Sequence, residues 1–184
     1  MPRVTRDQIT DYQTWAERRP SELKRILPIK AARRVHLGEY LTFLFENADT
    51  VRYQVQEMMR VEQIVREADI VHELDTYNEL LGEPGQLGCV LLIEIPDELT
   101  RQQKLVEWLG LPEHLYIKLA NGTKVYAQYD ARQVGTRRLS SVQYLIFDTS
   151  GEAPVAIGSD LPELVIEQAL NTEQKAALQD DLAA

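Results

Sequence analysis

The sequence predicts an α+β fold in which a mainly antiparallel sheet packs against one long helix, continuous or kinked, and several shorter helices. Three observations carry this reading. Asn121-Gly122 sits between segments rich in Tyr, Ile and Val, the pattern of a β-hairpin. Residues 50–81 carry apolar side chains at helical spacing. Predicted helices and strands alternate irregularly, and no Gly-rich phosphate loop follows a strand, which removes the main support for a nucleotide-binding α/β fold.

In chain order, Thr5 and Gln8 have capping-box spacing and predict a helix to about Glu17. Pro20 is expected to stop it, with Ser21 capping a second helical turn that ends before Pro28. RRVHLGEYLTFLFE reads as two strands joined by a turn near Gly38-Glu39. Asn47 or Asp49 caps the long helical region, roughly Thr50 to Leu81, and Gly82-Glu83-Pro84-Gly85 ends it. QLGCVLLIEIP is a central strand, and Pro96-Asp97 opens a helix to Gly110 with Leu105, Trp108 and Leu109 on its core face. The hairpin YIKLANGTKVYAQYD is expected to turn through a type I′ Asn-Gly pair. Strands at VQYLIFD, Val155–Ile157 and Leu164–Glu167 follow, and Asn171 with Gln174 caps a final helix. The expected organisation is one domain: a helical arm (1–34), an α+β core (35–170) and a C-terminal helix (171–184).

Two arrangements of the long helix are open. Val51, Val55 and Met58 share a face, while Ile70, Leu74, Tyr77 and Leu81 form a second stripe rotated by about a quarter turn. Either the helix breaks near Arg66–Asp69 and each half buries its own stripe, or it is continuous and Glu62, Arg66, Asp69 and Glu73 enter a partly buried groove. The second case requires partners or a metal, because unpaired buried charge is costly.

Composition bounds the function classes. The 184 residues carry a net charge of −9, which argues against nucleic-acid binding driven by phosphate neutralisation. Much of the positive charge lies in Arg18–Arg34, read as a solvated face meeting acidic parts of the same chain. The single cysteine, Cys89, lies in an apolar run and reads as a buried, inert thiol. No apolar stretch has the length of a signal peptide or membrane span, so a cytoplasmic protein is expected.

Chemistry-bearing residues concentrate in Phe43–Gln63. Glu46, Asn47, Arg52, Gln56, Glu57 and Arg60 surround a strand-to-helix junction, first as a capping network and second as an anion site. A metal set would use Glu57, Glu62, Asp69, His72 and Glu73, with Asp69 and His72 at i,i+3 spacing and iron, manganese or zinc as the ion. No second carboxylate-x-x-His completes such a site, and surface ion pairs such as Glu62–Arg66 are the simpler reading. No Gly-x-Ser-x-Gly elbow surrounds Ser140 or Ser141.

LTFLFEN (41–47), T-V-x-x-Q-V-Q-E-M-x-R-x-E (50–62) and ELDTYNELL (73–81) resemble a bacterial family known as domain of unknown function 3501. RRV-x-LG (33–38), LLIEIPD (91–97), SSVQYLIF (140–147) and the terminal AALQDDL extend the resemblance over nearly the whole chain. It implies a redox or oxidative-stress setting with rubrerythrin-like and iron–sulfur, heterodisulfide-reductase-like partners, and it transfers no catalytic residue. Within its motifs the candidate binding residues are Glu46, Asn47, Gln54, Glu57, Arg60, Tyr77 and Asn78. The expected function is a non-catalytic accessory or binding protein. A metal-binding protein or metal-dependent enzyme, and a structural homo-oligomer, are the alternatives.

Overall fold

The computed structural model describes residues 2–184 and shows an α+β fold. Where the sequence led us to expect one sheet, two four-stranded antiparallel sheets form. The first, in the order β1-β2-β3-β6, comprises Arg34–Leu37, Leu41–Phe45, Gln86–Ile93 and Val142–Asp148. The second, in the order β5-β4-β7-β8, comprises Lys124–Tyr126, Leu115–Leu119, Pro154–Leu161 and Leu164–Ala169. Their inner faces share one apolar core: Phe43, Leu91 and Phe147 from the first sheet pack in the same cluster as Ile117 and Ile157 from the second. A two-way backbone bridge between Gln128 and Ile146 ties the chain after β5 to β6.

The helices are α1 (Tyr12–Ala31), α2 (Ala48–Glu62), α3 (Glu67–Asn78), α4 (Glu98–Glu107), α5 (Leu111–His114) and α6 (Thr172–Ala183). The long helix of the sequence reading is two helices. Gln63 adopts a left-handed backbone (φ 52°), so the break falls just before the expected Arg66–Asp69. Each half buries its own stripe, as one of the two expected arrangements requires. The α2 stripe is Val51, Val55 and Met59, with Met58 only half-buried, and the α3 stripe is Ile70 and Leu74, continued by Leu81.

The longest helix is instead α1, which runs through both Pro20 and Pro28. Each proline removes one helix donor, yet both sit on the exposed side while Trp15 and Ile26 are buried against Tyr53 of α2. Ion pairs from Arg19 to Glu57, Arg25 to Asp49 and Arg52 to Glu22 hold the two helices together, so the basic run does meet acidic residues of its own chain. Ser21 caps nothing; its hydroxyl donates to Arg18 O. The Thr5–Gln8 capping box closes only a 3₁₀ turn, and Asp11 caps α1.

Two helix caps form as expected, and the hairpin forms with a different turn. Asp97 caps α4, and Asn171 with Gln174 forms a capping box on α6. The Asn-Gly hairpin forms, but only Gly122 has a positive φ, and Gly122 N–H bonds to Leu119 O, so the turn is not type I′.

Candidate functional site

The helical layer leaves part of the outer face of the first sheet uncovered. Gly88 on β3 makes this geometry: a Cβ there would lie 1.5 Å from Leu80 O, so only glycine lets the 3₁₀ turn Glu79–Leu81 rest on the strand. The turn continues from α3, and residues of α3 and β6 both line the recess beside it. Between them opens a cleft of about 780 Å³, bounded by Glu73 and Tyr77 of α3, Leu80, Tyr144 and Ile146 of β6, and Arg132 on the rim. It adjoins a smaller cavity of about 260 Å³, and Tyr77, Leu80 and Tyr144 border both. The floor of the smaller cavity is the apolar sheet face of Leu44, Val90 and Leu92. Volumes of this size suit a small organic ligand.

Glu46 lines the inner cavity, where β2 passes into α2. The Thr50 hydroxyl donates to Glu46 Oε2, the one side-chain hydrogen bond to this carboxyl among the described residues. Burial pushes the Glu46 carboxyl above the usual carboxylate range; the Thr50 bond, and then Lys30 and Arg33 at longer range, pull the other way without overcoming it. Arg33 is itself committed to Asp181, at 2.7 and 2.8 Å. Gln54 of α2 and Lys30 of α1 complete the polar lining. Burial raises the Tyr77 hydroxyl, the Gln54 amide opposes that, and the Glu73 and Glu46 carboxylates raise it further. On the outer rim, Asp130 accepts a bidentate bond from Arg132 and is held down at about 2 by it.

Of the seven candidate binding residues, Glu46, Gln54 and Tyr77 meet in this cavity. The others are structural. Asn47 accepts from Thr50 N–H as the α2 cap and donates to Asp181 at 3.2 Å, the capping role placed first for this junction. Asn78 clamps the backbone of Val4, accepting from its N–H and donating to its O, both at 2.9 Å. Glu57 accepts from Trp15 Nε1 at 2.8 Å, Arg19 Nε at 2.9 Å and Arg60 Nε at 3.2 Å, and Arg60 is there as its partner.

The five metal candidates do not converge. Glu57 is engaged as described, Glu62, Asp69 and His72 are exposed, and Glu73 borders the cleft. Among the described residues no three His, Cys, Asp or Glu side chains form a group that could hold a metal ion. The break at Gln63 is the reason, since it takes Glu62 off the line of the α3 acids. Cys89 is fully buried, and burial first and the Glu46 charge second drive its thiol well above the ordinary value. No described helix is long and apolar enough to cross a membrane.

Sequence reasoning missed Lys30, Tyr144 and the Gln128–Gln133 side of the cleft. Only the alternation of VQYLIFD could have signalled Tyr144: it sits out of phase with buried Gln143, Leu145 and Phe147, and it is 51% exposed. A separate polar group on the same sheet was also missed. Thr42 Oγ1 donates to Glu94 at 2.5 Å and lies 3.0 Å from His36 Nδ1. Thr42 thus bridges the Glu94 carboxylate and the His36 ring.

Fold and cleft together define a two-sheet α+β protein with a ligand-sized recess on the outer face of one sheet. The chain belongs to the family described as "Protein of unknown function (DUF3501)", whose profile matches residues 3–182. It is similar to a crystal structure of a novel protein of unknown function from Burkholderia pseudomallei K96243. That likeness has a TM-score of 0.89 and 29% identity, over 98% of this chain and 100% of the other. No curated protein matches the sequence.

Proposed function

We propose that the protein is a non-catalytic binding protein that holds a small organic molecule in the cleft between α3 and the outer face of the first sheet. The observation that carries this reading is the Glu46 carboxyl, lining a recess with an apolar floor and a few polar groups, Gln54 and Lys30 among them, that opens past Tyr77 and Tyr144 into the larger cleft. Apolar walls with a few convergent polar groups are the ordinary composition of a ligand site. Burial there pushes up both the Glu46 carboxyl and the Tyr77 hydroxyl, and Glu46 is the carboxyl of the pair. In the redox or oxidative-stress setting that the family resemblance implies, the contribution is binding beside rubrerythrin-like or iron–sulfur partners. The Cys89 thiol is too deeply buried to exchange with them.

Ligand-observed NMR with a mixed fragment set tests the reading. Leu92→Trp, on the cavity floor, is expected to abolish the hits while circular dichroism stays unchanged. An empty screen, or hits indifferent to Leu92→Trp, would overturn it.

A further inference from the structure

We propose that the cleft is built for an organic cation: an ammonium group carried on an apolar chain or ring, with the ammonium beside Glu46 and the apolar part on Leu44, Val90 and Leu92. The inference rests on the binding role proposed for the cleft and adds the chemistry of the occupant.

Three features of the recess select that chemistry. Glu46 lines the cavity with one oxygen bonded by Thr50, and no ion pair engages it, Lys30 and Arg33 acting on it only at longer range. An ammonium supplies the missing countercharge and hydrogen bonds together. Next to it, Tyr77 and Tyr144 both border the cavity, and aromatic rings attract a cation that has shed its water. The acids then outnumber the bases along the joined recess. With Asp130 and Arg132 paired to each other, Glu46, Glu73 and Glu79 stand against Lys30. The one remaining cation, Lys30, directs its Nζ over the Tyr53 ring at 5.0 Å. An anionic ligand would meet this field unfavourably, and a neutral one would leave Glu46 unpaired.

Binding is coupled to a proton. The titratable groups facing Glu46 are Lys30 and Arg33 at the end of α1, Tyr77 from α3, Cys89 on β3 and Tyr144 from β6; α2 contributes the uncharged Thr50 and Gln54. Bound ammonium favours the carboxylate and so opposes the upward push of burial on Glu46; over the pH range in which the free carboxyl holds a proton, binding releases it and tightens as pH rises.

Calorimetric titration of the full chain with octylammonium, octan-1-ol and octanoate at mildly acidic and neutral pH tests the proposal. Octylammonium is expected to bind most tightly, by about tenfold over the alcohol, the worth of one charge-assisted contact. Glu46→Gln should remove that advantage and leave the alcohol within about twofold, because the apolar part is untouched. In buffers of different ionisation enthalpy, octylammonium should release protons from the wild type and none from Glu46→Gln. Octanoate or octanol binding as tightly as octylammonium would overturn the cation and leave the cleft reading standing. Octylammonium binding unchanged by Leu92→Trp would overturn the cleft itself, and no binding of any of the three probes would overturn both.

Discussion

Glu57 lies within a family motif and could have been a metal ligand, yet the structure makes it the brace between α1 and α2. Glu57→Ala and Glu57→Gln separate these roles. In the wild type, Glu57 Oε1 accepts the indole N–H of Trp15, a side chain only 1% exposed. Truncation to Ala leaves that buried donor without a partner, at a cost of about 1–3 kcal/mol. The guanidiniums of Arg19 and Arg60 keep access to water, with side chains 38% and 33% exposed, so losing their bonds adds a smaller part. Glu57→Ala is therefore expected to cost about 2–3 kcal/mol, or about 5–10 °C in Tm for a chain of this size. Glu57→Gln keeps an oxygen for the indole and should cost about 1 kcal/mol. Urea unfolding, followed by circular dichroism and tryptophan fluorescence, gives both numbers. The sign of the pH dependence is also determined. Burial would raise the Glu57 carboxyl, but hydrogen bonds from Arg60, Trp15 and Arg19 outweigh it and leave it lowered. Its ionised form therefore stabilises the fold above the ordinary carboxylate range, and that stability is lost as pH falls through the lowered value. The gap between wild type and Glu57→Gln should shrink in acid. Equal costs for the two substitutions, or a gap independent of pH, would refute the bracing role.

Arg33 and Asp181 pair at 2.7 and 2.8 Å with side chains 10% and 6% exposed, so Arg33→Met should cost about 3–5 kcal/mol by stranding a buried charge. Arg33→Met with Asp181→Leu should recover much of that in the same urea assay. Gly88→Ala drives a methyl group into Leu80 O and should cost about 3 kcal/mol or more, with the NMR shifts of Tyr77 and Leu80 moving together as the 3₁₀ turn lifts. Glu46→Gln should act oppositely to Glu57→Gln. The folded carboxyl is raised, so its penalty appears as pH climbs past the unfolded value and the substitution stabilises at neutral pH. The gain is about 1.4 kcal/mol for each pH unit over which the native chain keeps a proton the unfolded chain has lost, and thermal melts from pH 4 to 8 measure it.

What the sequence revealed of the fold was mostly what depends on neighbours three or four positions away. The Asn171–Gln174 box, the Asp97 cap and the Asn121-Gly122 hairpin all formed because both partners lie within one turn. The errors arose where distant contacts override local preference. Pro20 and Pro28 are breakers by type, and burial of Trp15 and Ile26 against Tyr53 holds the helix through them. Gln63 takes a left-handed backbone that its residue type does not announce. The inner wall of the cleft, Glu46, Gln54 and Tyr77, was named from motifs, but Tyr144 reaches it only through the pairing of β3 with β6, a register that no local pattern encodes.

The polar residues grouped by the LTFLFEN and QVQEMMR motifs divide according to what α2 packs against. On the side facing α1 lie Tyr53 and Glu57, met by Trp15 and Arg19; on the side facing the sheet lie Val51 and Gln54, with Glu46 at the entry. One carboxyl is lowered because three donors satisfy it, and the other is raised because burial outweighs its single hydroxyl partner and more distant cations. Two acids of ordinary reference pKa are thus pushed in opposite directions by neighbours that only the fold supplies, and such a split is how one chain assigns different roles to the same side chain. A satisfied carboxylate such as Glu57 has little left to offer a ligand. The other, with its single hydroxyl partner, lies against a cavity, and the binding role proposed for the cleft rests on that asymmetry between the sheet side of α2 and its helical side.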